Sequence, residues 1–213
     1  MPGTKIKICG LRRIEDIEYA NILMPDYIGF ILAEGFMRSI TRKQAESFAA
    51  RLDGGIKRVG VFVNQPEDMV ADYVNSGIIQ YVQLHGDEDN NYIDKLCRYI
   101  HREYKIIKAV KVKCADDTRR AAGYKCDYLL LDAYSPQQAG GNGAVFDWAL
   151  VKNINQLFFL AGGISASNVK NAVEMVKPYA VDASSSMETD GFKDFNKMKE
   201  FVDIIRKMEV NYG

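Results

Sequence analysis

Histidine is scarce in this sequence, with two in 213 residues, and none of its four cysteines forms a CxxC pair. Cys9, Cys97, Cys114 and Cys126 are scattered, so neither a zinc site nor a disulfide framework is expected; free thiols in a reducing cytoplasm fit better. Charge of one sign is also lacking: 28 Lys plus Arg face 28 Asp plus Glu, which leaves no basic field for nucleic acid. No apolar run approaches the length of a membrane span, and the opening MPGTKIKICG has no stretch like a signal peptide. No GxGxxG follows the first expected strand, which disfavours an open dinucleotide-binding sheet. No linker, low-complexity tract or charge block divides the chain. A single cytoplasmic, metal-free domain over residues 1–213 is therefore expected, with no membrane or nucleic-acid partner.

What is present is a rhythm. Apolar strand candidates lie at Lys5–Cys9, Tyr27–Leu32, Arg58–Val63, Tyr81–His85, Lys105–Val110, Tyr128–Asp132, Leu157–Ala161 and Tyr179–Ala183. Helical candidates separate them: Ile14–Ile22, Arg42–Leu52, Glu67–Asn75, Asn91–Arg102, Asp116–Gly123, Phe146–Val151, Asn168–Val176 and Phe195–Met208. Thr41 and Asn168 have the chemistry of N-caps, and Pro66 suits a first helical turn. Strands that alternate with helices pair in parallel, because parallel neighbours need a crossover. Eight such units predict an α/β fold of the closed (β/α)₈ type, a TIM barrel.

Strand parity then says which side chains reach the barrel interior, since successive residues point to opposite faces. In KIKICG, Ile6 and Ile8 face the helices while Lys7 and Cys9 face inward. In YVQLHG, Gln83 and His85 turn inward. Asp132 ends its strand, and Asp182 shares a face with Ser184. Polar groups thus gather at the C-terminal strand ends, where barrel enzymes build their sites. The stretch from Phe158 to Met187 adds two strand ends on small residues, Gly162-Gly163 and Ser184-Ser185-Ser186. Exposed backbone N–H groups in such turns satisfy phosphate oxygens without a cationic side chain.

Cys9 and Asp132 lie on opposite sides of the expected mouth, so a small sugar fits between them. A thiolate serves as a base and a carboxyl as an acid when their pKa values are moved toward neutrality. Residue type alone leaves the plainer readings open, with Cys9 as a small buried hydrophobe and Asp132 as a turn or cap residue. The glycine-rich loop after Asp132 reads equally as a lid or as a surface loop. Arg38, after the second strand, has the fork that clamps carboxylates.

The motifs KICG (Lys7 to Gly10), GVFVN (Gly60 to Asn64), VQLHG (Val82 to Gly86), LLLD (Leu129 to Asp132), GGNGAVFDW (Gly140 to Trp148), LAGGI (Leu160 to Ile164) and VDASSSME (Val181 to Glu188) stand in order along nearly the whole chain. Together they resemble the phosphoribosylanthranilate isomerase family of tryptophan biosynthesis. The resemblance implies an Amadori rearrangement of a phosphoribosyl substrate, with Asp132 as general acid and Cys9 as general base. It implies Arg38 as the carboxylate clamp and Gly162, Gly163, Ser185 and Ser186 as the phosphate anchor. Gly141, Asn142 and Gly143 would close above the substrate, and Asp182 would either contact it or pair with Lys7. No cofactor is implied, and a monomer or a homodimer is expected. Related phosphosugar barrels, such as the ketol-isomerase of histidine biosynthesis, tend to have Asp where this chain has Cys9. Two departures stand out: LAEGFMRS replaces a Pro- and Ser-rich run before Arg38, and Ser186 stands where the family pattern SSGVE has Gly. If that position needs positive φ, Ser would be strained by about 1 kcal/mol; if not, its hydroxyl is available for a contact.

Overall fold

The computed structural model describes residues 3–132, 151 and 154–210. Eight parallel strands close into one barrel in sequence order: β1 (Lys5–Cys9), β2 (Tyr27–Ile31), β3 (Lys57–Phe62), β4 (Tyr81–Leu84), β5 (Lys105–Lys111), β6 (Tyr128–Asp132), β7 (Phe158–Ala161) and β8 (Ala180–Ala183). The seam is a continuous ladder in which Lys7 pairs with Asp182 and Ile8 with Ala183. Among the described residues the outer layer comprises α1 (Ile14–Leu23), α2 (Arg42–Arg51), α3 (Glu67–Asn75), α4 (Asn90–Tyr99), α5 (Ala115–Ala121), α6 (Val169–Val176) and α7 (Phe195–Val210). The expected (β/α)₈ architecture is thus present, with strand bounds shifted by one residue at most positions. The expected helix Phe146–Val151 lies outside the described residues save for Val151, as do Gly141, Asn142 and Gly143.

Parity divides the apolar residues into two cores. Ile6, Ile8, Ile28, Phe30, Phe62 and Leu84 face the helices and are fully buried. Inside the barrel, Val59, Ile107, Leu130 and Phe159 form a smaller cluster. Its lower end is aromatic: Tyr27 meets Tyr81 edge-on at 5.1 Å, Tyr128 stacks on Tyr179 at 4.9 Å, and the Tyr27 and Tyr179 hydroxyls are 2.8 Å apart. Three of these tyrosines begin the even strands β2, β4 and β6, so one inward layer fills the N-terminal end of the barrel. Such ring pairs contribute roughly 0.5–1.5 kcal/mol each beyond area burial. The open space is left at the C-terminal end.

Local chemistry explains two helix starts. Thr41 caps α2 as expected, exchanging side-chain and backbone hydrogen bonds with Gln44. Asn168 occupies the N-cap position of α6, but its side chain does not cap. Its Oδ1 accepts from Ser165 N and its Nδ2 donates to Gly163 O, both at 2.9 Å, so it braces the turn after β7 instead. Pro66 likewise sits one place earlier than expected, at the N-cap of α3.

An element absent from the sequence reading follows β8. Ser185–Met187 form one 3-10 turn, and Glu188–Thr189 (β9) pair antiparallel with Phe192–Lys193 (β10). Asp190 and Gly191 have φ of 52° and 77°, the paired left-handed conformation of a tight hairpin turn. Arg12 and Arg13 tie the hairpin down by donating to Gly191 O and Lys193 O.

Candidate active site

A cavity of about 360 Å³ opens at the C-terminal ends of the strands. Its walls include Cys9, Arg38, Asp132 and Asp182, with Gly162, Gly163, Ser185 and Ser186 on one side. These eight are the site residues expected from the sequence, apart from Gly141, Asn142 and Gly143 beyond the described residues. Gln83, His85 and Phe36 line it as well, and a second cavity of about 690 Å³ adjoins it through Phe36, His85 and Asp132.

Cys9 ends β1 on the inward face and is 7% exposed. Gly29, its ladder partner on β2, makes the room: a Cβ there would lie 2.5 Å from Cys9 Sγ. Burial pushes the Cys9 thiol up from its ordinary pKa, Lys7 and Lys193 pull it back, and Asp182 adds to the rise. Two residues earlier, Lys7 is fully buried and donates to Asp182 Oδ2 at 2.7 Å. Burial alone would lower the Lys7 pKa, but attraction to Asp182 and Cys9 outweighs it and raises it. Asp182 Oδ1 is buried without a partner among the described residues. The two alternatives for Asp182 are therefore compatible, because Oδ2 takes Lys7 while the residue also lines the cavity.

Arg38 is engaged more firmly than the sequence suggested. Its Nε and Nη2 form a fork onto Glu188 at 2.7 and 2.8 Å, and Lys193 Nζ reaches the same carboxylate at 2.7 Å. Burial would raise Glu188, yet Arg38 and Lys193 hold it below the usual carboxylate range. Lys193 also donates to Ser184 O, so the hairpin is clamped to the end of β8. Neither Glu188 nor Lys193 was singled out from the sequence. The Asp190-Gly191 pair, a strong local hairpin signal, was the sign that these two residues face each other.

The phosphate-type turns have the expected backbone. Gly162 and Gly163 have φ of 84° and 70°, a region that L side chains avoid. Ser186 does not share it; it lies in the 3-10 turn with no left-handed φ, so the strain considered for Ser at that position is absent. Its hydroxyl donates to Ile164 O at 2.5 Å and so ties the turn after β8 to the turn after β7.

Comparisons with known proteins agree with this geometry. The family model for N-(5′-phosphoribosyl)anthranilate (PRA) isomerase matches residues 6–204. A relative named N-(5′-phosphoribosyl)anthranilate isomerase from Endomicrobium trichonymphae is 45% identical over 204 residues, covering 96% of this chain and 99% of its own. The crystal structure of phosphoribosyl anthranilate isomerase from Thermotoga maritima superposes with a TM-score of 0.85 at 33% identity, covering 96% of this chain and 99% of that one. Another, of the isomerase in complex with reduced 1-(o-carboxyphenylamino)-1-deoxyribulose 5-phosphate, gives a TM-score of 0.82 at 32% identity with the same coverage.

Proposed function

The chain belongs to the N-(5′-phosphoribosyl)anthranilate isomerase family, and from that premise we propose that Asp132 is its general acid and Cys9 its general base. It is an aldose–ketose isomerase of tryptophan biosynthesis, converting N-(5-phosphoribosyl)anthranilate to 1-(2-carboxyphenylamino)-1-deoxyribulose 5-phosphate. The observation that carries the residue roles is their convergence: eight residues singled out from the sequence, on or just after five strands, line one cavity.

In this reading Asp132 protonates the furanose ring oxygen and the C1–O bond breaks. The anthranilyl nitrogen lone pair becomes the second bond of a C1=N iminium. Cys9 thiolate takes the C2 proton, and the C2–H electrons form C1=C2 and neutralise the nitrogen. Proton loss from the C2 hydroxyl and proton gain at C1 then give the ketone. The positive φ of Gly162 and Gly163 supports a phosphate on that backbone, joined by the Ser185 and Ser186 amides. With its fork on Glu188, Arg38 has Nη1 left for the anthranilate carboxylate, while Asp182 Oδ1 suits a sugar hydroxyl. Gly141, Asn142 and Gly143 are assigned to closing over the substrate on the family motif alone. All four cysteines are free thiols, which supports a reducing compartment, the cytoplasm; no described helix is long and apolar enough to cross a membrane.

Turnover of purified Cys9→Ala and Asp132→Ala variants tests the roles. Each should lose at least ~10² in kcat, the scale of a positioned acid or base. A doubly substituted enzyme with full turnover would refute them.

A further inference from the structure

His85 and Gln83 line the cavity but take no part in the proton transfers above. They are neighbours on the inward face of β4, two positions apart, and Gln83 Nε2 lies 2.8 Å from His85 Nδ1. His85 Nε2 faces Asp132 Oδ2 at 4.0 Å. An amide nitrogen only donates, so Nδ1 must accept and the imidazole proton sits on Nε2. The opposite amide orientation would require Nδ1–H and would leave Nε2 with no proton to offer the Asp132 carboxylate that forms once the acid gives up its own. The charged groups around the ring favour the neutral form: burial first, then Lys7 on β1 with Lys108 and Lys111 on β5, outweigh the opposing Glu88 and hold its pKa at about 4. The backbone beneath is fixed, because Glu88 accepts from Gly86 N, Asn64 N and Lys108 Nζ at 2.7–2.9 Å.

We propose that Gln83 and His85 are positioning residues for the acid: Gln83 fixes His85 as the neutral Nε2–H tautomer, and that N–H stabilises the Asp132 carboxylate formed as the ring oxygen is protonated. The inference rests on Asp132 being the acid. A donor aimed at a charge that grows during the step is worth more in the transition state than in the resting enzyme, which raises kcat rather than tightening binding. The 4.0 Å separation is longer than a hydrogen bond and shortens as the negative charge develops. Gln83 itself is 1% exposed, so its amide is held by the packing around it.

With two histidines in the chain, a His101→Gln enzyme reports His85 alone in a proton–nitrogen correlation spectrum. Nε2 should be protonated and Nδ1 bare from pH 5 to pH 8, and Gln83→Glu, whose carboxylate accepts from Nδ1–H, should reverse the pattern. His85→Asn, which loses Nε2, should lower kcat about tenfold with KM changed less than about twofold. The same substitution placed on Asp132→Asn should lower kcat no further. An Nδ1–H tautomer in the parent enzyme, or equal losses on both backgrounds, would overturn the proposal while leaving the acid assignment intact. Full turnover by Asp132→Asn would overturn that assignment and the proposal with it.

Discussion

Removing the Asp182 carboxylate should expose how much the barrel interior depends on one ion pair. Lys7 has no exposed side-chain surface and Asp182 only 8%, with 2.7 Å between Nζ and Oδ2. In Asp182→Ala the ammonium stays buried with no carboxylate against it, a change that costs about 3–5 kcal/mol in comparable buried pairs. Total stability of a domain is about 5–15 kcal/mol, so this single change removes a third or more of a typical value. Lys7→Met should be milder, because burial already pushes the Asp182 carboxyl up and lets it take a proton once Lys7 is gone. The double variant Lys7→Met/Asp182→Ala should recover most of that loss, since both desolvation penalties vanish together. Urea unfolding at pH 7.5 measures all four proteins, and the coupling should exceed about 2 kcal/mol. A cost below about 1 kcal/mol for Asp182→Ala, or a double variant as unstable as the two singles summed, would refute the argument. Turnover then separates structure from chemistry: if Asp182 Oδ1 binds a sugar hydroxyl, the double variant recovers stability but keeps a raised KM.

Gly29→Ala should push Cys9 aside, since its Cβ would stand 2.5 Å from Sγ; overpacking of about 1–3 kcal/mol in urea unfolding and a kcat loss beyond about tenfold are expected, and an unchanged kcat would show that Cys9 tolerates the shift. Ser186→Gly should cost about 1 kcal/mol through loss of the hydrogen bond to Ile164 O and should change KM more than kcat; the reverse split in steady-state kinetics would place Ser186 in the chemistry. His85 titrates near 4 when folded against 6.5 for the free side chain, so the unfolded chain takes up its proton first as pH falls. Stability should therefore drop from about pH 6.5 downward, by about 2 kcal/mol at pH 5 from this group, and His85→Asn should show a correspondingly shallower slope between pH 7 and pH 5.

The alternation of apolar runs with helical segments made the barrel legible, and strand parity within each run then said which residues point inward. Lys7, Cys9, Gln83, His85 and Asp182 were all assigned to the interior on that basis, and all lie there. What escaped was pairing across long separations. Glu188 holds Arg38 from 150 positions away, and no local pattern couples the two. The hairpin was a different kind of miss, since Asp190-Gly191 is readable but lies between strands of only two residues each, too short to show alternation. Asn168 shows a third limit: its type and position suit an N-cap, yet the same side chain satisfies Ser165 N and Gly163 O on the turn before it, and propensity does not choose between the two.

In the proposed mechanism, the choice of a thiol for the base follows from what surrounds it. A carboxylate in place of Cys9 would stand beside Asp182 and compete with it for Lys7, and two buried like charges do not both ionise. A thiol avoids that conflict by resting neutral, consistent with its upward shift through burial. The consequence is an order of events. The thiol becomes a base only when it gives up its proton to solvent as positive charge appears next to it, and Lys7 and Lys193 supply part of that field. In that mechanism the rest comes from the substrate itself, once the proposed acid Asp132 has opened the ring and the nitrogen carries the iminium charge. On these proposed roles, protonation of the sugar oxygen on the β6 side is coupled, through the charge it creates, to deprotonation of carbon on the β1 side.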